Sequence, residues 1–176
     1  KIMIKLFRCK ICGDSYIGEE VPSRCPFCGA VHGFMIEAKD YDETFDVELS
    51  SKDRANVEKS LEIELSNAAF YACAAEKAND SEARQLFKIL KKVESEHASI
   101  WRKILKLSKE DLKKVEETCQ VSTQDCLQES HEREDRAIKF YAECAKESDN
   151  PRLRQIFGAL VQIETDHLQL SEQRLD

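Results

Sequence analysis

From about residue 50 onward, apolar positions recur at the three- and four-residue spacing of a helical face, and the pattern predicts four helices. Ser50 or Ser51 can cap the first, which runs to about Ala78 and is broken by Asn79 and Asp80. Ser81 is the expected cap of the second, which runs to about Leu107. A polar connection, residues 108–121, follows, and a short helix is expected in its middle. Ser122 or Thr123 starts the third helix, which ends near Ser148. Asn150 at the N-cap and Pro151 at the first helical position restart the chain for a fourth, to about Arg174. Two short breaks and one long connection describe two antiparallel helical hairpins joined by a crossover.

The first 36 residues read differently. They hold four of the five glycines, two of the three prolines and four of the eight cysteines. Between the two parts lies an acidic stretch with scattered aromatics, Tyr41 and Phe45, expected to be a linker packed partly on its neighbours. The expected division is a small domain over 1–38, a linker over 39–50 and a helical domain over 51–176.

Composition narrows the function classes. Net charge is -7 and only 7% of residues are aromatic, so there is no electrostatic footprint for a nucleic acid or an anionic membrane. No apolar run is long enough to span a bilayer, and residues 1–7 read as too short and too charged for a signal peptide. A cytoplasmic location is expected. Cysteines crowded between Cys9 and Cys28 favour metal thiolates in a reducing compartment over a disulfide scaffold.

The two hairpins repeat each other at an offset of 70 residues, as from Glu64 to Glu134. Phe70-Tyr71-Ala72 matches Phe140-Tyr141-Ala142, Arg84-Gln85 matches Arg154-Gln155, Phe87 matches Phe157 and Leu90 matches Leu160. Glu94 and His97 fall on Glu164 and His167. So many polar and aromatic matches in one register point to duplication of a hairpin.

That repeat carries chemistry. Residues at i and i+3 share a helix face, so Glu94 with His97, and Glu164 with His167, can aim at one point. A single such pair is common on solvated helices; two copies, each following a Glu at a fixed distance, are not. Glu64 and Glu134 add one carboxylate from each remaining helix, which completes the ligand set of ferritin-like dinuclear carboxylate sites. Four carboxylates facing one another in a core are costly without cations to offset them. Imidazole with carboxylate suits iron or manganese. Tyr71 and Tyr141 fall nearly two turns after Glu64 and Glu134, as core tyrosines whose hydroxyls can reach a carboxylate across the site. His131, one turn before Glu134, is expected to be a partly exposed histidine or a proton relay, with an extra ligand as the alternative.

In the first part, Cys9-Lys-Ile-Cys12-Gly13 and Cys25-Pro-Phe-Cys28-Gly29 form two Cys-x-x-Cys-Gly knuckles. The glycine lets the chain turn tightly, so that backbone N–H groups face sulfur. Four thiolates make a tetrahedral site for iron or zinc, and spacing does not choose between them. The other cysteines, Cys73, Cys119, Cys126 and Cys144, read as small apolar residues with no catalytic role.

Taken together, the knuckles, Phe34 after the second of them, and the paired Glu-x6-Tyr and Glu-x-x-His motifs resemble the rubrerythrin family over nearly the whole chain. The module order resembles the reverse rubrerythrins. The resemblance implies a mainly α chain: a ferritin-like four-helix bundle preceded by a small rubredoxin-like domain. It implies two irons held by Glu64, Glu94, His97, Glu134, Glu164 and His167, with Glu94 and Glu164 as bridges. It also favours iron over zinc at Cys9, Cys12, Cys25 and Cys28. The implied activity is reduction of hydrogen peroxide to water, with electrons from an NAD(P)H-linked reductase or a rubredoxin passing through the iron–thiolate centre. One departure stands out: many family members carry a further Glu one turn beyond the third-helix ligand, and here that position is Ala137. The alternatives are oxygen reduction or ferroxidase chemistry at the same site, or a structural zinc ribbon on a metal-binding bundle. The linker is expected to place the small domain over a partner's bundle in a homodimer, with electron transfer between subunits.

Overall fold

The computed structural model describes residues 3–175; the first two residues of the stretch read as no signal peptide lie outside them. Three short strands open the chain: β1 (Lys5–Cys9), β2 (Ser15–Gly18) and β3 (Met35–Glu37). β1 is central and pairs antiparallel with both neighbours, Phe7 facing Tyr16 on one side and Glu37 on the other. The two cysteine knuckles leave from this sheet. Gly13 and Gly29 adopt φ of 87° and 79°, the left-handed region that glycine enters without steric cost.

Four helices follow: α1 (Ser51–Lys77), α2 (Ser81–Ile104), α3 (Thr123–Glu147) and α4 (Pro151–Glu172). Their starts are set by side chains that accept from orphan backbone N–H groups. Ser50 accepts from Asp53 N (3.0 Å), Ser122 from Asp125 N (3.3 Å) and Asn150 from both Arg152 N and Leu153 N (2.9 and 3.2 Å). The cap of α2 is Asp80 rather than the expected Ser81, because the Asp80 carboxylate reaches Ala83 N at 2.8 Å. α2 also stops at Ile104, short of Leu107, where Lys106 turns left-handed (φ 57°). α1 packs on α2 and α3 on α4, giving the two hairpins.

The crossover differs from expectation. No helix forms within residues 108–121; a single turn at Leu112 is all the regular backbone there. Instead the strap is tied down by side chains. Lys77 donates to Cys119 O (2.6 Å), Glu117 accepts from Ser66 (2.6 Å), and Cys119 forms a disulfide with Cys73 on α1. The reading of Cys73 and Cys119 as small apolar residues is therefore corrected; Cys126 and Cys144 are free and buried.

The small module sits on its own chain's bundle, and the two share one apolar core that runs from Phe7, Ile11 and Met35 to Trp101, Tyr141 and Phe157. Polar ties reinforce the seat. Lys103 Nζ donates to Cys12 O (2.8 Å), Arg152 Nε to Thr44 O (3.1 Å), and Arg24 pairs with Asp166 (2.8 Å). The linker takes part: Phe45 is buried under the cations of Lys103 and Arg152. At Gly29 a Cβ would come within 3.2 Å of Ile163, so the second knuckle rests directly on α4.

Candidate metal centres

The first centre is the cysteine cluster. Cys9, Cys12, Cys25 and Cys28 are all buried, and their sulfurs lie within 4.8 Å of one another. Cys9 faces Cys28 at 3.7 Å and Cys12 faces Cys25 at 3.8 Å. Backbone N–H groups of Ile11 and Asp14 point at the sulfurs of Cys9 and Cys12 (3.4 and 3.5 Å). Hydrogen bonding to Cys12 pulls the Cys9 and Cys25 thiols below their ordinary range. Four converging sulfurs, two of them inclined to ionise, fit a tetrahedral Fe or Zn ion.

The second centre lies in the middle of the bundle, and every predicted residue reaches it. Glu64, Glu94, His97 and Glu164 place one ligand atom each within 4.8 Å of the others, and so do Glu94, Glu134, Glu164 and His167. Glu94 and Glu164 belong to both groups. His97 Nδ1 is 3.2 Å from Glu164, 3.5 Å from Glu94 and 3.6 Å from Glu64. His167 Nδ1 is 2.9 Å from Glu164 and 3.1 Å from Glu94. The two imidazoles lie nearly parallel with centroids 6.1 Å apart, one over each group.

The donor set fits two divalent ions. Glu64 Oε2, both oxygens of Glu94, His97 Nδ1, Glu134 Oε2 and Glu164 Oε1 are buried with no hydrogen-bond partner among the described residues. Native proteins rarely leave such atoms orphaned, and each costs about 1–3 kcal/mol or more when unpaired. Metal coordination satisfies all of them at once. Without metal, protons take that role. Burial, then the Glu94 charge, pushes Glu64 and Glu134 well above the usual carboxylate range. Burial would hold both imidazoles neutral, but Glu64 and Glu164 raise His97, and Glu164 raises His167, well above the ordinary value. Glu94 goes the other way: burial works against its charge, and the neighbouring imidazoles of His167 and His97 overcome it. The proton pattern is two imidazolium ions against two carboxylates, a neutral substitute for the metals.

Around the cluster, each tyrosine crosses to the other hairpin. Tyr71 donates to Glu134 and Tyr141 donates to Glu64, each fixing one carboxylate oxygen. His131 is not part of the cluster. It pairs with Glu172 (3.1 Å) on the bundle surface with its side chain 29% exposed, in line with a partly exposed histidine.

A contact that sequence reasoning missed joins the two centres. His97 Nε2 lies 2.9 Å from the carbonyl of Cys28. The carbonyl can only accept, so Nε2 donates to it, and Nδ1 is the nitrogen turned toward the carboxylates. The pairing spans 69 residues and carries no local sequence signal.

Comparison with known proteins agrees with this picture. The family model described as Rubrerythrin matches residues 55–173, and the rubrerythrin rubredoxin-like domain matches residues 7–34. Reverse rubrerythrin-1 of Clostridium acetobutylicum is 29% identical over 117 residues, which cover 58% of this chain and 62% of that protein. The match thus spans less than two thirds of that relative's length. No solved structure matches. A four-helix bundle with a buried carboxylate–histidine cluster able to hold two irons, preceded by a rubredoxin-like four-cysteine module, places this chain in the rubrerythrin family.

Proposed function

We propose that the chain reduces hydrogen peroxide to water at a di-iron site, re-reduced through an iron bound by Cys9, Cys12, Cys25 and Cys28. The observation that carries this reading is the His97–Cys28 contact, which links a bundle imidazole to the backbone of a cysteine that would hold the second centre. A zinc ribbon serving only as a scaffold has no need for that link.

In this reading Glu94 and Glu164 would be shared by the two irons, Glu64 with His97 and Glu134 with His167 would complete the two ends, and Tyr71 and Tyr141 hold the end carboxylates in place. When bound there, ferrous iron would be the source of the two electrons that peroxide reduction consumes. The protein's part is to position, to exclude bulk water and to deliver protons and electrons. All four glutamates are at most 1% exposed, so charge changes at the site are felt at low dielectric. Two protons are consumed per peroxide. Tyr71 bonds Ser130 (2.8 Å), which bonds Ser171 (2.8 Å), a buried row of hydroxyls beside Glu134 along which a proton can shift. Electrons enter at the four-cysteine centre from an NAD(P)H-linked reductase or a rubredoxin. With the module on its own bundle, the route needs no second subunit, and a homodimer, which we retain as the assembly, serves stability instead. Four free metal-binding thiols suit a reducing cytoplasm.

The test is stopped-flow absorption of the anaerobically reduced, iron-loaded protein. Mixing with hydrogen peroxide should raise the ferric–thiolate band quickly and oxygen should raise it slowly. A faster response to oxygen would replace this reading with an oxygen reductase. Colourless protein carrying zinc at the cysteines would leave the module structural.

A further inference from the structure

A cavity of about 350 Å³ opens between α1 and α3, beside the carboxylate cluster. Asn67 lies one turn beyond Glu64, and Ala137 one turn beyond Glu134, so two of its lining residues are helix neighbours of the end carboxylates. Ile63, Ala137 and Phe140 line it with apolar surface, Asn67, Ser66 and Arg133 line its polar side, and the exposed Lys59 and Arg136 stand at its rim.

The polar side is built rather than incidental. Arg133 is held by Glu129 (2.9 Å), Glu117 (3.4 Å) and the ring of Phe70 beneath it (4.5 Å). Its charge is thereby answered twice over. Arg133 also donates to Asn67 Oδ1 (3.4 Å), which fixes the amide and leaves Nδ2 as the remaining atom. That Nδ2 is buried and has no partner among the described residues, in a side chain only 3% exposed. A buried donor without a partner costs on the order of 1–3 kcal/mol, and a ligand oxygen would recover it. Hydrogen peroxide is far too small to fill the space, since a water occupies only about 30 Å³ in the liquid. The space fits a molecule with an accepting oxygen at one end and a compact apolar body at the other.

We propose that this cavity admits small organic hydroperoxides as a second class of oxidant. The alkyl or aryl body rests on Ile63 and Phe140, and a peroxide oxygen accepts from Asn67 Nδ2. The O–O bond breaks with two protons and two electrons, ROOH + 2 H⁺ + 2 e⁻ giving ROH + H₂O. The electrons are those that the ferrous site supplies to hydrogen peroxide, so the inference rests on the proposed di-iron function.

The test uses the full iron-loaded chain in two measurements. In the first, reduced protein is oxidised by cumene hydroperoxide and by hydrogen peroxide. Filling the cavity with Ala137→Phe should lower the ratio of the two rates by about tenfold or more. In the second, the redox-inert alcohol 2-phenyl-2-propanol is dialysed against the oxidised protein, and both Ala137→Phe and the less disruptive Asn67→Leu should weaken its binding by about tenfold or more. Oxidation by hydrogen peroxide alone, with no binding of the alcohol, overturns the inference and leaves the proposed function standing. An unchanged rate ratio in Ala137→Phe also overturns it. No oxidation by either peroxide overturns the proposed function instead, and the dialysis then still decides what the cavity binds.

Discussion

The two hairpins offer the cluster the same ligands and surround them differently. Glu64, Glu94 and His97 repeat as Glu134, Glu164 and His167, and the tyrosines cross in both directions. Outside that ring the symmetry fails. His97 bonds the carbonyl of Cys28, whereas His167 has no such tie to the small module among the described residues. Trp101 in the first hairpin corresponds to Ser171 in the second. On the Tyr141 side, Trp101 and Phe157 stack into a dry aromatic wall (centroids 6.2 and 6.0 Å from Tyr141). On the Tyr71 side, Ser130 and Ser171 continue a line of hydroxyls. The difference teaches that duplication supplied the ligand set while its surroundings diverged: in the proposed function, electrons would arrive past His97 and protons past Tyr71.

The largest expected effect tests the symmetric part. Glu94→Ala or Glu164→Ala removes a carboxylate shared by both groups and should empty the bundle of iron. Glu64→Ala or Glu134→Ala should cost the iron at one end first. Metal analysis of the purified variants reads this directly, and equal loss from all four would show that the bridging assignment is wrong.

Acid should act alike on both hairpins. Glu64, Glu134, His97 and His167 each hold a proton in the metal-free state well above the ordinary range. Iron must displace those protons, so affinity rises with pH and falls in acid, by more than about tenfold per pH unit. Calorimetry in buffers of different ionisation enthalpy counts the protons released. Release of none would contradict the protonation pattern.

The tyrosines separate the two sides. Tyr71→Phe leaves Glu134 and Ser130 both short of a partner, and Tyr141→Phe leaves only Glu64 so. Loss of an outer partner costs roughly 10- to 100-fold in metal affinity or activity, and Tyr71→Phe should be the worse of the two. Equal losses would mean that the hydroxyl row contributes nothing.

The smallest effect lies at the seat of the module. Burial, and then the neighbouring Asp14 carboxylate, raises Glu96 to about 7. The unfolded chain ionises first, near 4.5, so stability is full below that value and is lost as pH rises toward 7. Glu96 is partly exposed, and after solvent screening the loss is on the order of 1 kcal/mol. Glu96→Gln should flatten that decline in thermal melts run on either side of the window.

How far the sequence carried this picture follows from range. Asn150 and Pro151 announce α4 because a cap and a fixed φ are local properties. The ligand set was legible because helical periodicity turns Glu94 and His97 into neighbours, and the repeat doubles the signal. Cys73 and Cys119 gave no warning of pairing, since their meeting depends on where a strap without helical structure lies. Ala137 read as a departure from a family pattern, and only the packed helices bring it and Asn67 to one cavity. The contacts that seat the module were hidden for the same reason. Lys103, Arg152 and Ile163 look like ordinary helix surface until the knuckles rest on them.

The measurement that bears most directly on the one-sided route is complementation between two inactive variants. Cys9→Ser lacks the thiolate-bound iron of the small module and Glu94→Ala lacks the di-iron site. They are mixed, unfolded, refolded together with iron, and assayed for peroxide turnover with reductase. Transfer within one chain past Cys28 and His97 predicts no recovery beyond either variant alone. Recovery of a substantial share of wild-type turnover would contradict it, because electrons would then cross from the module of one chain to the bundle of another.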